Sequence, residues 1–142
     1  MEIISKELRK TRPGFGEILL RIDRQTLAKR RWRGVAEDGR EFGFDLQEPL
    51  ADGAAFFESE EHRYCLAQNP EPVLEVKLPA SPKAAQLGWM IGNLHFPLEV
   101  SGEVIRAADD PALRQLFARE HIAFTENTAV FHPLKSAHAH AH

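Results

Sequence analysis

Between Glu17 and Val76 apolar residues recur at strand spacing and the breaks fall at turn residues, so this half of the chain has little to build with except short strands. Ile18, Leu20 and Ile22 share one strand face, and Phe42, Phe44 and Leu46 alternate with Glu41, Gly43 and Asp45. Asp38-Gly39 and Asp52-Gly53 are two-residue turn signals. Tyr64-Cys65-Leu66 and Val73-Leu74-Glu75-Val76 read as further short strands, and no segment carries a helical stripe. The expectation is an all-β N-terminal domain, residues 1–76, of about six short strands in a barrel or sandwich.

Leu78-Pro79-Ala80-Ser81-Pro82 breaks that pattern, and a second domain is expected over residues 77–135. Ser81 can cap a helix with Pro82 at its first position. The helix runs from Lys83 to Leu94, with Leu87, Met90, Ile91 and Leu94 at helical spacing. Phe96, Leu98 and Val100 then alternate with Pro97 and Glu99, and Ser101-Gly102 turns the chain before Val104. Asp110-Pro111 starts a second helix whose apolar face is Leu113, Leu116 and Phe117 and which ends near Glu120. Ile122 to Phe131 returns as a strand. With Leu74 to Leu78 as the opening strand, the second half reads β-α-β-β-α-β, the ferredoxin-like split βαβ order. Two helices would cover one sheet face and leave the other to a partner subunit. The fold class is thus two-domain, β followed by α+β, with residues 136–142 as a flexible histidine-bearing tail.

A chain of 142 residues with 43% hydrophobic and 27% charged residues is expected to fold as one or two small soluble domains. A net charge of −3 gives no global attraction to nucleic acid or to an anionic membrane. No stretch approaches the ~20 apolar residues that cross a bilayer, and Met1 to Lys10 carries no apolar signal core, so a cytoplasmic protein is expected. One cysteine excludes an intrachain disulfide and a cysteine-based zinc site.

The chemistry therefore rests on histidine. His95 stands where the first helix of the second domain meets the next strand, a place where two packed elements would hold a ligand or proton carrier. Of seven histidines, His132, His138, His140 and His142 fall in the last eleven residues. Alternate histidines in a mobile segment can gather around one ion, and imidazole suits nickel, copper, zinc and cobalt. A purification tag is usually an unbroken run, whereas this tail reads His-Ala-His-Ala-His. Lys29, Arg30, Arg31 and Arg33 flank Trp32 as the one basic cluster, but Asp23, Glu37, Asp38 and Glu41 lie close by, and a solvated strand face is expected. Cys65, three residues after His62, reads as a buried structural thiol, and His121 is assigned no role. No Ser-His-Asp order, phosphate loop or paired carboxylates stand out, and the chain is not read as an enzyme.

Three stretches together resemble the nickel metallochaperones of the UreE type, the urease accessory proteins. Trp32 to Leu46 is similar to the family's basic segment followed by "DGRE.G..L", continued in order by Leu50-Ala51-Asp52-Gly53 and Pro72-Val73-Leu74-Glu75-Val76. Gly92-Asn93-Leu94-His95-Phe96-Pro97-Leu98-Glu99-Val100 resembles the family's "GN.H.P" motif, and the histidine-bearing C-terminus is the third piece. The resemblance implies an N-terminal β domain that contacts protein partners, a ferredoxin-like metal-binding domain and a homodimer. It implies that His95 is an interfacial ligand given once by each subunit, with His132, His138, His140 and His142 as further ligands. It also implies Ni(II) as cargo, with Zn(II) or Cu(II) bound in vitro, and delivery to a urease apoprotein complex containing an accessory GTPase, with no nucleic acid and no membrane. The chain departs from many members over Arg106 to Pro111, where Ala108 and Pro111 replace histidines of an "H.DH"-like pattern. Fewer secondary ions are therefore expected. The rival expectations are a non-catalytic interaction module with incidental histidines, and a small nucleic-acid-binding β domain using Lys29 to Arg33.

Overall fold

The alternating first half forms two three-stranded sheets. Its strands are β1 (Glu2–Ile4), β2 (Gly16–Ile22), β3 (Arg31–Val35), β4 (Glu41–Asp45), β5 (Ala55–Glu58) and β6 (His62–Gln68), in the orders β1-β4-β3 and β2-β6-β5. The computed structural model describes residues 1–135 and divides the chain into two units, Met1–Asn69 and Pro70–His142. Each sheet joins a local antiparallel pair to a distant parallel strand: β1 lies parallel to β4, and β2 parallel to β6. The turn between β3 and β4 is set by Gly39 at φ +90°, and the Asp38 carboxylate accepts the Arg40 N–H at 3.0 Å and the Tyr64 hydroxyl at 2.5 Å. Leu20, Phe42, Phe44, Phe56, Tyr64 and Leu66 fill the core with Trp32, whose ring stacks on Phe44 at 3.9 Å. One helical turn, α1 (Arg24–Leu27), escapes the sequence pattern because four residues are too few to show a stripe. Asp23 caps it, accepting the Thr26 N–H at 2.9 Å.

The second unit comprises β7 (Glu71–Lys77), α2 (Ser81–Asn93), β8 (Glu99–Ser101), β9 (Val104–Ala108), α3 (Pro111–Arg119) and β10 (Thr125–Ala129). Its sheet runs β10-β7-β9-β8, antiparallel throughout, and the element order is that of the split βαβ. Leu87 and Ile91 of α2 and Leu113, Leu116 and Phe117 of α3 pack on Leu74, Val76, Ile105 and Ala107.

Several expectations are corrected. The units divide between Asn69 and Pro70, not between 76 and 77, because β7 pairs with β9 and β10 and so belongs wholly to the second unit. The sixth strand of the first unit is β1 instead. Ser81 does not cap α2: Ala80 is the N-cap, no side chain accepts there, and Ser81 and Pro82 open the helix. Phe96 to Leu98 is not strand, since Pro97 has no N–H to donate to a ladder; β8 begins at Glu99. Asp110 does cap α3, accepting the Ala112 N–H at 2.8 Å. Among the described residues no helix is long and apolar enough to cross a membrane. The expected flexible tail, 136–142, lies outside the described residues.

Candidate metal centre

The end of α2 positions His95 through its backbone. The His95 N–H donates to the Gly92 carbonyl at 2.9 Å and the Phe96 N–H to the Ile91 carbonyl at 3.4 Å, the two bonds of a Schellman ending. Phe96 then packs on the cluster that contains Ile91. This ending needs one left-handed residue, and His95 supplies it at φ +62°, where glycine would be unstrained. The side chain is exposed, so it is not gripped between two elements as the sequence suggests; the cap fixes its root and leaves the imidazole in solvent. His121 ends α3 in the same way, at φ +54°, with the Ile122 N–H on the Phe117 carbonyl at 2.8 Å. Large exposed apolar side chains of this unit include Trp89 of α2 at 66% exposure and its C-cap Leu94 at 40%, with Val100 and Leu134.

The C-terminal segment runs back beside the residues that follow His95. Phe131 is fully buried, the His132 N–H donates to Glu99 Oε1 at 3.2 Å, and the Leu134 N–H donates to the Leu98 carbonyl at 2.7 Å. His132 is exposed. His138, His140 and His142 lie outside the described residues. Among the described residues no three His, Cys, Asp or Glu side chains come together as a metal site. Ala108 ends β9 and Pro111 opens α3, so neither position offers a ligand.

A feature the sequence did not disclose crosses the sheet face opposite the helices. Glu75, Arg106 and Glu99 are direct cross-strand partners on β7, β9 and β8. Arg106 reaches Glu75 at 2.7 Å and Glu99 at 3.1 Å, and Asn127 of β10 donates to Glu75 at 2.8 Å. The three charged side chains are only 14–16% exposed. Hydrogen bonds from Arg106, then Asn127, hold the Glu75 carboxyl below its ordinary range, and Glu75 raises the Arg106 guanidinium. This side of the sheet therefore carries a largely buried charged row beside the fully buried Val73.

Elsewhere the structure separates residues that the sequence places together. Trp32 is buried among aromatic rings while Arg31 and Arg33 are exposed, so the basic cluster has no aromatic platform for bases. Cys65 is buried and free, and burial pushes its thiol up.

The chain thus combines a β unit with a split βαβ unit whose surface carries His95, His121 and His132. The family model described as UreE urease accessory protein, C-terminal domain, matches residues 71–142. Relatives named urease accessory protein UreE align over most of the chain. That of Beijerinckia indica subsp. indica is 28% identical over 89% of this chain and 73% of its own length. That of Chelativorans sp. is 30% identical over 85% and 78%, and that of Streptococcus thermophilus 27% identical over 82% and 79%. The chain belongs to the UreE family of urease accessory proteins.

Proposed function

We propose that this protein is a nickel metallochaperone for urease maturation, a carrier and not an enzyme. It binds Ni²⁺ at paired His95 side chains across a homodimer interface and passes the ion, in the cytoplasm, to the urease apoprotein and its accessory GTPase. The observation that carries the reading is the exposed His95 imidazole, rooted on a fixed helix end beside the exposed Trp89 of α2 and its C-cap Leu94. One such histidine cannot hold an ion, but a two-fold axis through this apolar surface makes a pair of it. The paired helix ends offer an apolar surface that gains by burial. His132, His138, His140 and His142 complete the coordination from the C-terminal segment. Ligands on such a segment can be surrendered one at a time, which delivery requires and a closed four-ligand cage resists.

The test is a Ni²⁺ titration of wild type and His95→Ala, with folding followed by circular dichroism and oligomeric state by sedimentation. The expected result is a dimer whose tightest step weakens sharply in the folded variant while weaker steps persist. Unchanged tight binding by folded His95→Ala, or a protein that stays monomeric with Ni²⁺, would overturn the reading.

A further inference from the structure

An exposed imidazole must be aimed before it can share an ion with its twin. Metal-binding histidines are usually oriented by a hydrogen bond from the second ring nitrogen to a carboxylate or carbonyl. Among the described residues the His95 ring has no such bond, and it is exposed. Its aim therefore depends on the backbone beneath it.

We infer that Phe96 is a positioning residue, whose packing on the core locks the left-handed turn that aims His95 at the metal site, with Pro97 as its second restraint. The inference rests on the His95 reading and deepens it. His95 sits at φ +62°, where a Cβ is disfavoured, so the turn is held against a local cost. Two hydrogen bonds close it, His95 N–H to the Gly92 carbonyl at 2.9 Å and Phe96 N–H to the Ile91 carbonyl at 3.4 Å, and the second is long. Such bonds exchange for water and contribute little net. The remaining lock is apolar. In a Schellman ending the residue after the left-handed one packs on the third residue from the helix end. Here those two are Phe96 and Ile91. Ile91 is fully buried, and Phe96 is half-buried on the cluster that contains it. Proline disfavours the helical conformation for the residue before it, so Pro97 keeps Phe96 from continuing α2. Pro97 itself is exposed, and Leu98 returns to the same cluster. The His95 turn is thus pinned before by Ile91 and after by Phe96 and Leu98.

A two-fold site magnifies slack in this turn. The ion needs both turns closed, so a turn closed for a fraction f of the time in each subunit lowers the affinity by f squared. Without the Phe96 ring, two weak bonds stand against the Cβ strain. A closed fraction on the order of one half then gives about a fourfold loss.

The experiment measures Ni²⁺ binding at neutral pH, by competition with a chelator, in full-chain wild type, Phe96→Ala, Phe96→Leu and Pro97→Ala. It repeats Phe96→Ala in a His95→Ala background. Amide exchange is followed over residues 92–98, with the α3 segment as the reference for general loosening. Phe96→Ala should speed exchange over 92–98 more than over α3 and weaken the tightest step about fourfold. Phe96→Leu keeps an apolar contact with the core and should restore most of both. Pro97→Ala changes an exposed position and should act in the same direction by about twofold; it carries the test if Phe96→Ala does not fold. In the His95→Ala background Phe96→Ala should change the remaining Ni²⁺ binding no further. Coupling is reciprocal, so Ni²⁺ should slow exchange over 92–98 in wild type. Wild-type affinity in folded Phe96→Ala, wild-type affinity in Pro97→Ala, or an equal loss in the His95→Ala background would each overturn the inference. Failure of the underlying reading shows separately, as unchanged tight binding in His95→Ala.

Discussion

Replacing His95 by glycine should make the protein more stable while it loses its tight metal site. His95 occupies the left-handed position of the α2 ending, at φ +62°. A residue with a Cβ carries roughly 1–2 kcal/mol of local strain there. Glycine removes that strain, but its freer unfolded chain returns about 0.4–1 kcal/mol. The net gain lies between about 0 and 1.6 kcal/mol, centred near ~0.8 kcal/mol, or roughly 3–6 °C in Tm for a domain of this size. Alanine keeps the Cβ and the strain, so His95→Ala should sit near wild type. His121→Gly is the internal control: its φ of +54° and its pair of capping bonds match those of His95, and it has no assigned role. Both glycine variants should gain similar stability, and only His95→Gly should lose the tight Ni²⁺ step. Urea unfolding followed by helical circular dichroism is the assay. The thirteen residues of α2 and nine of α3 lie in the second unit, against four helical residues in the first, so the signal reports the unit that carries both substitutions. Equal stability of the glycine and alanine variants at position 95 would refute the strain argument.

Two further outcomes test the packing. Glu75 is held below its ordinary carboxyl value of 4.5 by Arg106 and Asn127, so its ion pair contributes fully above that pH and is lost as pH falls through the lower folded value; the stability advantage of wild type over Glu75→Gln, measured by urea unfolding, should be present at neutral pH and shrink in acid below that value. Gly34 lies over the first core, where an added Cβ would stand 2.9 Å from Leu20 Cδ2 and 3.0 Å from Trp32 Cζ3, so Gly34→Ala should lower the urea midpoint by the equivalent of about 1–3 kcal/mol.

Local signals proved the most legible part of the sequence. The Asp38-Gly39, Asp52-Gly53 and Ser101-Gly102 turns, the inward Phe42, Phe44 and Leu46, and the Asp110 cap are all governed by residues within one turn or strand of each other. What escaped depends on distant partners. Nothing in Glu2 to Ile4 announces a strand until β4 offers it an edge, and β7 could be placed in its unit only by knowing its neighbours. His95 was readable as a candidate by residue type and position. Its left-handed backbone was not, because that conformation is signalled by glycine and here a histidine bears it. Glu99 looked like an outward polar residue in an alternating run. Its connection to His132 exists only after four strands have been set in register.

The parallel pairing of β2 with β6 also dictates when the first unit can be finished. Gly16 faces His62 and Ile22 faces Gln68, so every rung of that ladder closes the same long loop. The hairpins β3-β4 and β5-β6 need only their own neighbourhood and can form early, whereas β1 and β2 must wait for strands made later. On the ribosome, at about 5–20 residues per second, the early-made β2 stays unpaired for seconds with Leu19 and Leu20 uncovered. Arg21 within β2 and the arginine-rich stretch that follows, Arg24, Arg30, Arg31 and Arg33, keep that waiting segment charged, which opposes its pairing with the same strand of another nascent chain.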